Sequence, residues 1–335
     1  MRAYVIQSYG SISDVVKLID VPAPTPKANE VVIDIRASAL NPIDLRVITG
    51  SLKRVNRYPM PHRIGFDGSG VISSRGENVR NFAVGDQVFV RASRSDTGTF
   101  AEQIAVEASI VALKPKTVDF QGAAALPLVA LTTMQGLTDR AHAKAGQRIL
   151  IQAGSGGVGS FAIQFAKNLG LHVTTTTSSG NVSWVSGLGA DEVIPYDRQD
   201  YRSNGRVYDI VLDTLGGEAT LASFEVCKPG GSVVSIAGPP DKQMPDQVGA
   251  GPIGRLMMSL MSRKVYAASR KYGVAYFRFL TESSGRQLAA IAELVDEGRV
   301  HPVIDRTFSF DKLPEALSYL AAGRAKGKVL LLSRV

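Results

Sequence analysis

The chain has 335 residues, 44% hydrophobic and 20% charged, with 33 Gly, 16 Pro and no low-complexity block. That composition excludes disorder as the main state, and the length exceeds one ordinary core, so two domains are expected. Lys and Arg outnumber Asp and Glu by 38 to 30, a net +8 that favours anionic partners, while a single cysteine, Cys227, excludes an intramolecular disulfide and any zinc site built on two cysteines.

The opening MRAYVIQSYG has no apolar h-region, and no stretch reaches the ~18 apolar residues of a spanning helix, so a cytoplasmic protein is expected. Short β-like runs at 30–36, 70–74, 87–91 and 100–106, punctuated by Pro, Gly, Asn and Asp, predict a mainly β barrel or half-barrel. An Ala-rich run over 120–142 reads as a helix. From there β-branched strands at 149–152, 172–176, 192–194, 209–212 and 232–236 alternate with helical stretches, which predicts a doubly wound parallel sheet. A strand at 303–310, a helix at 314–322 and a strand at 329–332 close the chain.

The segment Ile149-Leu-Ile-Gln-Ala-Gly154-Ser155-Gly156-Gly157-Val158-Gly159 carries G-x-G-x-x-G between an apolar strand and a helix with apolar Phe161, Ala162, Phe165 and Ala166. In that context the glycines permit a tight turn and close backbone approach, and the helix-start amides meet a pyrophosphate. About 20 residues on, where an NAD site places a carboxylate for the ribose 2′-hydroxyl, the chain reads Thr177-Ser178-Ser179-Gly180-Asn181. Thr177, Ser178 and Asn181 can donate to a 2′-phosphate that a carboxylate would repel, so NADPH is the expected cofactor. Tyr196 either joins that pocket or is a half-exposed loop tyrosine. Thr214 and Leu215, in Asp213-Thr-Leu-Gly216, and Ala237 and Gly238, in Ser235-Ile-Ala-Gly238, end strands at the carboxyl edge where dinucleotides bind.

Together with Asn41-Pro-Ile-Asp44, Gly65-Phe-Asp-Gly-Ser-Gly-Val71, Val84-Gly-Asp-Gln-Val-Phe89, Gly98-Thr-Phe-Ala-Glu102 and Gly187-Leu-Gly-Ala-Asp-Glu-Val193, this turn makes an ordered set of landmarks along nearly the whole chain. The chain resembles the zinc-free quinone oxidoreductase and enone reductase branch of the medium-chain dehydrogenase/reductase superfamily. The resemblance implies a Rossmann sheet inserted into a GroES-like barrel: 1–123 and 300–335 form the catalytic domain and 124–299 the dinucleotide-binding domain. Zinc enzymes of the superfamily carry Cys-x-x-Asp and Gly-His-Glu where this chain has Asn41-Pro-Ile43-Asp44 and Gly65-Phe66-Asp67. Both ligands and the hydroxyl of the alcohol proton relay are replaced, so no metal is expected and the acceptor becomes a quinone or an α,β-unsaturated carbonyl.

The resemblance also implies that Asn41 and Thr132 serve the nicotinamide and substrate, that Arg46 replaces the lysine of plant enone reductases, and that Phe308 and Lys328 return near the cofactor. Arg46 either stabilises an enolate or is a solvated helix-face charge. A guanidinium holds its proton too tightly to be a good proton donor, which leaves water or a tyrosine such as Tyr58. Asp44 is expected to cap a helix, Asp67 to be a buried structural partner, Cys227 to be a small core residue, and the four histidines carry no metal spacing. The alternative class is an NADPH-sensing binding protein with little turnover, associated with RNA or a membrane.

Six basic residues and no acidic one lie in 255–278, beside an apolar stripe of Leu256, Met257, Leu260, Met261 and Val265. Such a stretch can bind nucleic acid or an acidic membrane. The favoured expectation is a family helix laying its methionines over the substrate cleft. The run after it, 272–279, is expected to be an edge strand through which a homodimer forms.

Overall fold

The computed structural model describes residues 1–53, 57–94 and 97–333. Its strands in chain order are β1 (Arg2–Ile6), β2 (Val16–Asp20), β3 (Glu30–Leu40), β4 (His62–Arg63), β5 (Asp67–Arg75), β6 (Gln87–Arg91), β7 (Gln103–Glu107), β8 (Val111–Leu113), β9 (Arg148–Ile151), β10 (His172–Thr177), β11 (Glu192–Pro195), β12 (Tyr208–Asp213), β13 (Cys227–Ser235), β14 (Ala275–Arg278), β15 (Ile304–Ser309) and β16 (Lys328–Leu332). The chain divides into two compact units, Met1–Leu131 with Glu282–Val335, and Thr132–Thr281.

The first unit is built on the sheet β15-β16-β3-β5-β6-β8, with β7 also paired to β3, and a small sheet β2-β1-β4. Long strand β3 alternates: Val31, Ile33 and Ile35 enter one core cluster with Ile72, Val88, Val90 and Ile104. A second cluster joins Leu40, Phe66, Phe100, Phe310, Leu317 and Leu331. The C-terminal strand β16 runs antiparallel to β3, with Val329 opposite Leu40. That pairing carries Lys328 to the start of the helix Pro42–Ile48, across most of the sequence.

The second unit is a six-stranded, all-parallel sheet in the order β11-β10-β9-β12-β13-β14. Central strands Ile149-Leu-Ile151 and Ile210-Val-Leu212 are apolar without alternation because both faces are covered. The strand order reverses between β9 and β12, the place where open α/β sheets bind ligands beyond their carboxyl ends.

The compact units divide between Leu131 and Thr132 and between Thr281 and Glu282. The helix Gly285–Asp296 falls in the first unit, where a Cβ on Gly285 would sit 2.3 Å from the Val111 carbonyl oxygen and Thr117 donates to Asp296. The single helix over 120–142 is instead Phe120–Ala124, Pro127–Met134 and a wide π-type turn, Gln135–Arg140. Pro127 has no N–H to continue the first segment. Finally, the stripe near 255 lies on Pro252–Met261, and a new helix, Arg263–Tyr272, begins after Ser262. Val265 is buried, whereas Leu256, Met257, Leu260 and Met261 are exposed, so the five residues do not form one continuous buried stripe.

Candidate active site

Strand β9 delivers the glycine turn of the second unit. Ala153 takes the left-handed region (φ 53°), and its N–H donates to Thr176 Oγ1 at 3.2 Å, while Gly154 N–H donates to the Thr176 carbonyl at 2.9 Å. A Cβ on Gly154 would lie 2.2 Å from Thr175 Oγ1, and one on Gly159 2.3 Å from the Ala153 carbonyl oxygen; both glycines are therefore required by packing. Gly156 differs. It precedes the helix Gly157–Asn168 with φ −79°, and a Cβ there would touch only the Ala153 oxygen, at 3.4 Å. The first-turn N–H groups of Gly157, Val158 and Gly159 have no intrahelical acceptor, and the helix end carries a partial positive charge. Beside Ser155 the turn is thus a cradle that fits a pyrophosphate and that a side chain at 156 would fill.

At the end of β10, Thr177 is buried and its Oγ1 has no partner, an orphaned polar group that a ligand can satisfy. Its neighbours are more committed than the sequence implied. Asn181 Nδ2 donates to Ser178 Oγ at 3.1 Å, and Ser179 donates to the Asp197 carboxylate from its N–H at 2.9 Å and its hydroxyl at 2.6 Å. Asp197 thereby brings a carboxylate to the expected 2′-phosphate end, held below the usual range by these bonds. Tyr196, next to it, is 62% exposed.

Beyond β12 and β13 the loops are pinned by two buried residues the sequence reading passed over. Asp213 Oδ1 accepts from the N–H groups of Leu215 and Gly216, and its Oδ2 from the hydroxyls of Thr220 and Ser235 at 2.5 and 2.7 Å. Ser235 Oγ in turn accepts from Ala237 and Gly238 N–H, while Thr214 donates to the Gln152 carbonyl. These amides are spent on holding the loops, so Thr214, Leu215, Ala237 and Gly238 present mainly carbonyls and side chains. The missed signal was the aspartate ending β12 and the serine ending β13 at matched register.

The first unit contains a separate buried polar cluster. Asn41 precedes the helix Pro42–Ile48; its N–H donates to Asp44 Oδ2 at 2.7 Å, half of a capping box. Its side-chain amide donates to the Ala39 carbonyl and to Asp67 Oδ2 at 3.2 and 3.0 Å, and its Oδ1 accepts from Lys328 Nζ. Lys328 also reaches Asp67 Oδ2 at 3.3 Å, and Asp67 Oδ1 accepts from Leu128 N–H at 3.0 Å, an amide released by the break at Pro127. Burial pushes Asp67 upward, and Lys328 and the Asn41 amide pull it back. Asp44 is fully enclosed, its Oδ1 has no partner, and burial pushes it up to about 8, which favours its neutral form. Buried Arg91 lies over the Phe66 ring and donates to Ser283.

The other expected residues have surroundings of their own. Arg46 is exposed on the helix that Asn41 begins, and Phe308 packs on Tyr319. In the second unit, Thr132 shares a 2.7 Å hydroxyl contact with Thr281. Tyr58 stacks on His62, whose ring meets the Thr97 hydroxyl and which burial pushes down to about 4. Cys227 is a core residue, its thiol pushed up to about 12 by burial. Among the described residues no group of three His, Cys, Asp or Glu side chains is placed to hold a metal ion.

A family described as alcohol dehydrogenase GroES-like domain matches residues 27–116, and one described as zinc-binding dehydrogenase matches residues 188–331. The chain is 36% identical to a 2-methylene-furan-3-one reductase of Solanum lycopersicum and 33% identical to an NADPH-dependent alkenal/one oxidoreductase of Arabidopsis thaliana; each match covers 99% of this chain and 79% of the relative. The quinone oxidoreductase of Coxiella burnetii superposes with a TM-score of 0.87 at 28% identity, covering 100% of this chain and 99% of that one. A glycine cradle on a parallel sheet, a GroES-like unit closed by the C-terminal strand and these relatives agree, and the chain belongs to the medium-chain dehydrogenase/reductase superfamily, among its quinone and enone oxidoreductase relatives.

Proposed function

We propose that the chain is a zinc-independent, NADPH-dependent oxidoreductase that reduces a quinone or an α,β-unsaturated carbonyl. The observation that carries the reading is Gly156, where the fold has room for a side chain and the sequence has none. The amides of Gly157 to Gly159 bind the pyrophosphate, and the Thr177 hydroxyl, with Ser178, meets the 2′-phosphate end. NADPH bound there supplies a hydride. The names of the tomato and Arabidopsis relatives support both the acceptor class and the cofactor.

The side chains at the places of the superfamily's zinc ligands support the zinc-independent form. Phe66 is a buried phenyl with no electron pair to give, and the Asn41 amide is committed to Ala39, Asp67 and Lys328. Without a Lewis acid an alcohol is not activated, whereas a conjugated acceptor delocalises its new charge onto oxygen. Asn41 acts as a positioning residue: with Lys328 and Asp67 it fixes the start of the helix that carries Arg46. The exposed Arg46 guanidinium donates a hydrogen bond to the developing oxyanion, and water supplies the proton that a guanidinium retains.

Anaerobic mixing of chelator-treated protein with NADPH and a panel of quinones and enones tests this. NADPH oxidation with at least one acceptor, unchanged by added zinc, is expected. No oxidation above background with any acceptor, or activity that appears only with zinc, overturns it. We further propose a homodimer through β14, which lies at the sheet edge; a monomeric mass by light scattering contradicts it. A cytoplasmic location is likewise proposed, with cell fractionation as its check. No helix among the described residues is long and apolar enough to cross a membrane.

A further inference from the structure

The helix Pro252–Met261 is oriented against the usual rule for an amphipathic helix. Ile253, Leu256, Met257, Leu260 and Met261 recur at i, i+3, i+4, i+7 and i+8, the spacing of one apolar face. In a globular unit that face is buried. Here those five side chains are 48–78% exposed, and the helix is attached through its other side, at Gly254, Met258 and Ser262. Ser262 Oγ anchors it to the Pro240 carbonyl at 2.6 Å. A contiguous exposed apolar face of this kind marks an interaction surface.

Its surroundings specify the partner. The following helix, Arg263–Tyr272, buries Val265 and leaves Arg263, Lys264, Arg270 and Lys271 exposed. Over 252–272 there are five cations and no acidic residue. Arg255 is paired with Asp246 at 2.6 Å, but no carboxylate among the described residues pairs with Arg263, Lys264 or Arg270. Beside the two helices lies a cavity of about 440 Å³ whose walls include Lys242, Arg255, Arg263, Arg270, Met258 and Leu260, together with Asp241, whose carboxylate accepts from the N–H groups of Gln243, Met244 and Arg278. Its lining combines four basic side chains with the apolar Met258 and Leu260, so one ligand there meets both charge and hydrocarbon. A second copy of the chain on this face would set cations against cations, and nucleic acid would leave the apolar stripe in water.

We propose that this surface docks on an anionic phospholipid bilayer. The stripe Ile253, Leu256, Met257, Leu260 and Met261 enters the headgroup–acyl boundary, while Arg263, Lys264 and Arg270 meet lipid phosphates around the cavity. The inference stands independently of the hydride chemistry.

Cosedimentation of the full chain with vesicles tests it, using phosphatidylcholine alone and phosphatidylcholine with phosphatidylglycerol. Binding only to the anionic vesicles, weakened by salt, is expected. A basic side chain near such a surface strengthens partitioning on the order of fivefold, so replacing Arg263, Lys264 and Arg270 together by Ala weakens it roughly 100-fold. Leu256→Asp with Leu260→Asp abolishes it. Both variants retain the wild-type thermal melting profile, because the altered side chains are exposed. Three results overturn the proposal: no pelleting with anionic vesicles; pelleting unaffected by both variants; or a self-association or single-stranded RNA complex that the variants abolish while vesicle binding is absent.

Discussion

At Gly156 the backbone (φ −79°, ψ 172°) suits any residue, and the fold offers a Cβ only one contact, at 3.4 Å. Gly156→Val is therefore expected to leave the stability of the unliganded protein within about 1 kcal/mol of wild type, the cost of a poorer helix N-cap. A pyrophosphate approaching the same helix end meets the new isopropyl group. Losing on the order of two charge-assisted N–H···O bonds, at about 1.5–3 kcal/mol each, weakens NADPH binding roughly 10²–10⁴-fold. Gly159→Ala is the counterpart. Its Cβ would lie 2.3 Å from the Ala153 oxygen and 2.8 Å from Gly154 Cα, so backbone must move and urea unfolds this variant earlier. NADPH fluorescence titration beside urea denaturation separates the two effects. Wild-type affinity in a stable Gly156→Val protein refutes the assignment of this turn, and a Gly156→Val protein that does not fold refutes the reading of its geometry.

Lys328→Met leaves the Asp67 carboxylate enclosed beside the Asn41 amide without its cation, which is expected to cost about 3–5 kcal/mol in urea denaturation. A loss below about 1 kcal/mol, the value of a surface pair, shows that the cluster is not a coupled unit. Asp44 sets an alkaline trend. Its folded value of about 8 lies above the unfolded 3.8, so its contribution is full below the unfolded value and is lost as pH rises toward the folded one. The slope is about 1.4 kcal/mol per pH unit, and Asp44→Asn removes it from denaturation curves taken at acidic and at mildly alkaline pH. An unchanged slope in the variant assigns the trend elsewhere. Asp197→Asn removes a carboxylate while keeping an acceptor for Ser179, and is expected to tighten NADPH roughly fivefold, with NADH unaffected. Equal gains for both cofactors place Asp197 away from the 2′-phosphate.

Local order was legible wherever a residue's neighbours in sequence are also its neighbours in space. The run Ile149-Leu-Ile before three glycines determines a strand, a turn and a helix within one βα unit, and the structure places all three there. The buried cluster was not legible in this way. Asn41, Asp67, Leu128 and Lys328 meet because β16 pairs with β3, β3 pairs with β5, and Pro127 frees an amide. No spacing rule links residues 41 and 328. Only the resemblance links Lys328 to the cofactor, whereas its contacts with Asn41 and Asp67 follow from the strand pairing. The same holds for Asp213 and Ser235, whose partnership depends on the register of β12 against β13.

The helix Pro252–Met261 shows a different limit. Its periodicity correctly announces an apolar face, since i, i+3, i+4 spacing reports that such a face exists. Periodicity does not report what the face meets. Burial in the second unit's own core is the default because most amphipathic helices have no other apolar neighbour. Here the core position is taken by Val265 and Tyr276 with Phe224, and Ser262 interrupts the helix before the stripe could continue inward. The charge pattern was the better guide. A helix that packs on its own protein has no need to exclude carboxylates from its flanks, whereas one that meets a lipid phosphate surface loses affinity with each of them. The five cations and no acid over 252–272 therefore belong with the outward-facing stripe as one feature.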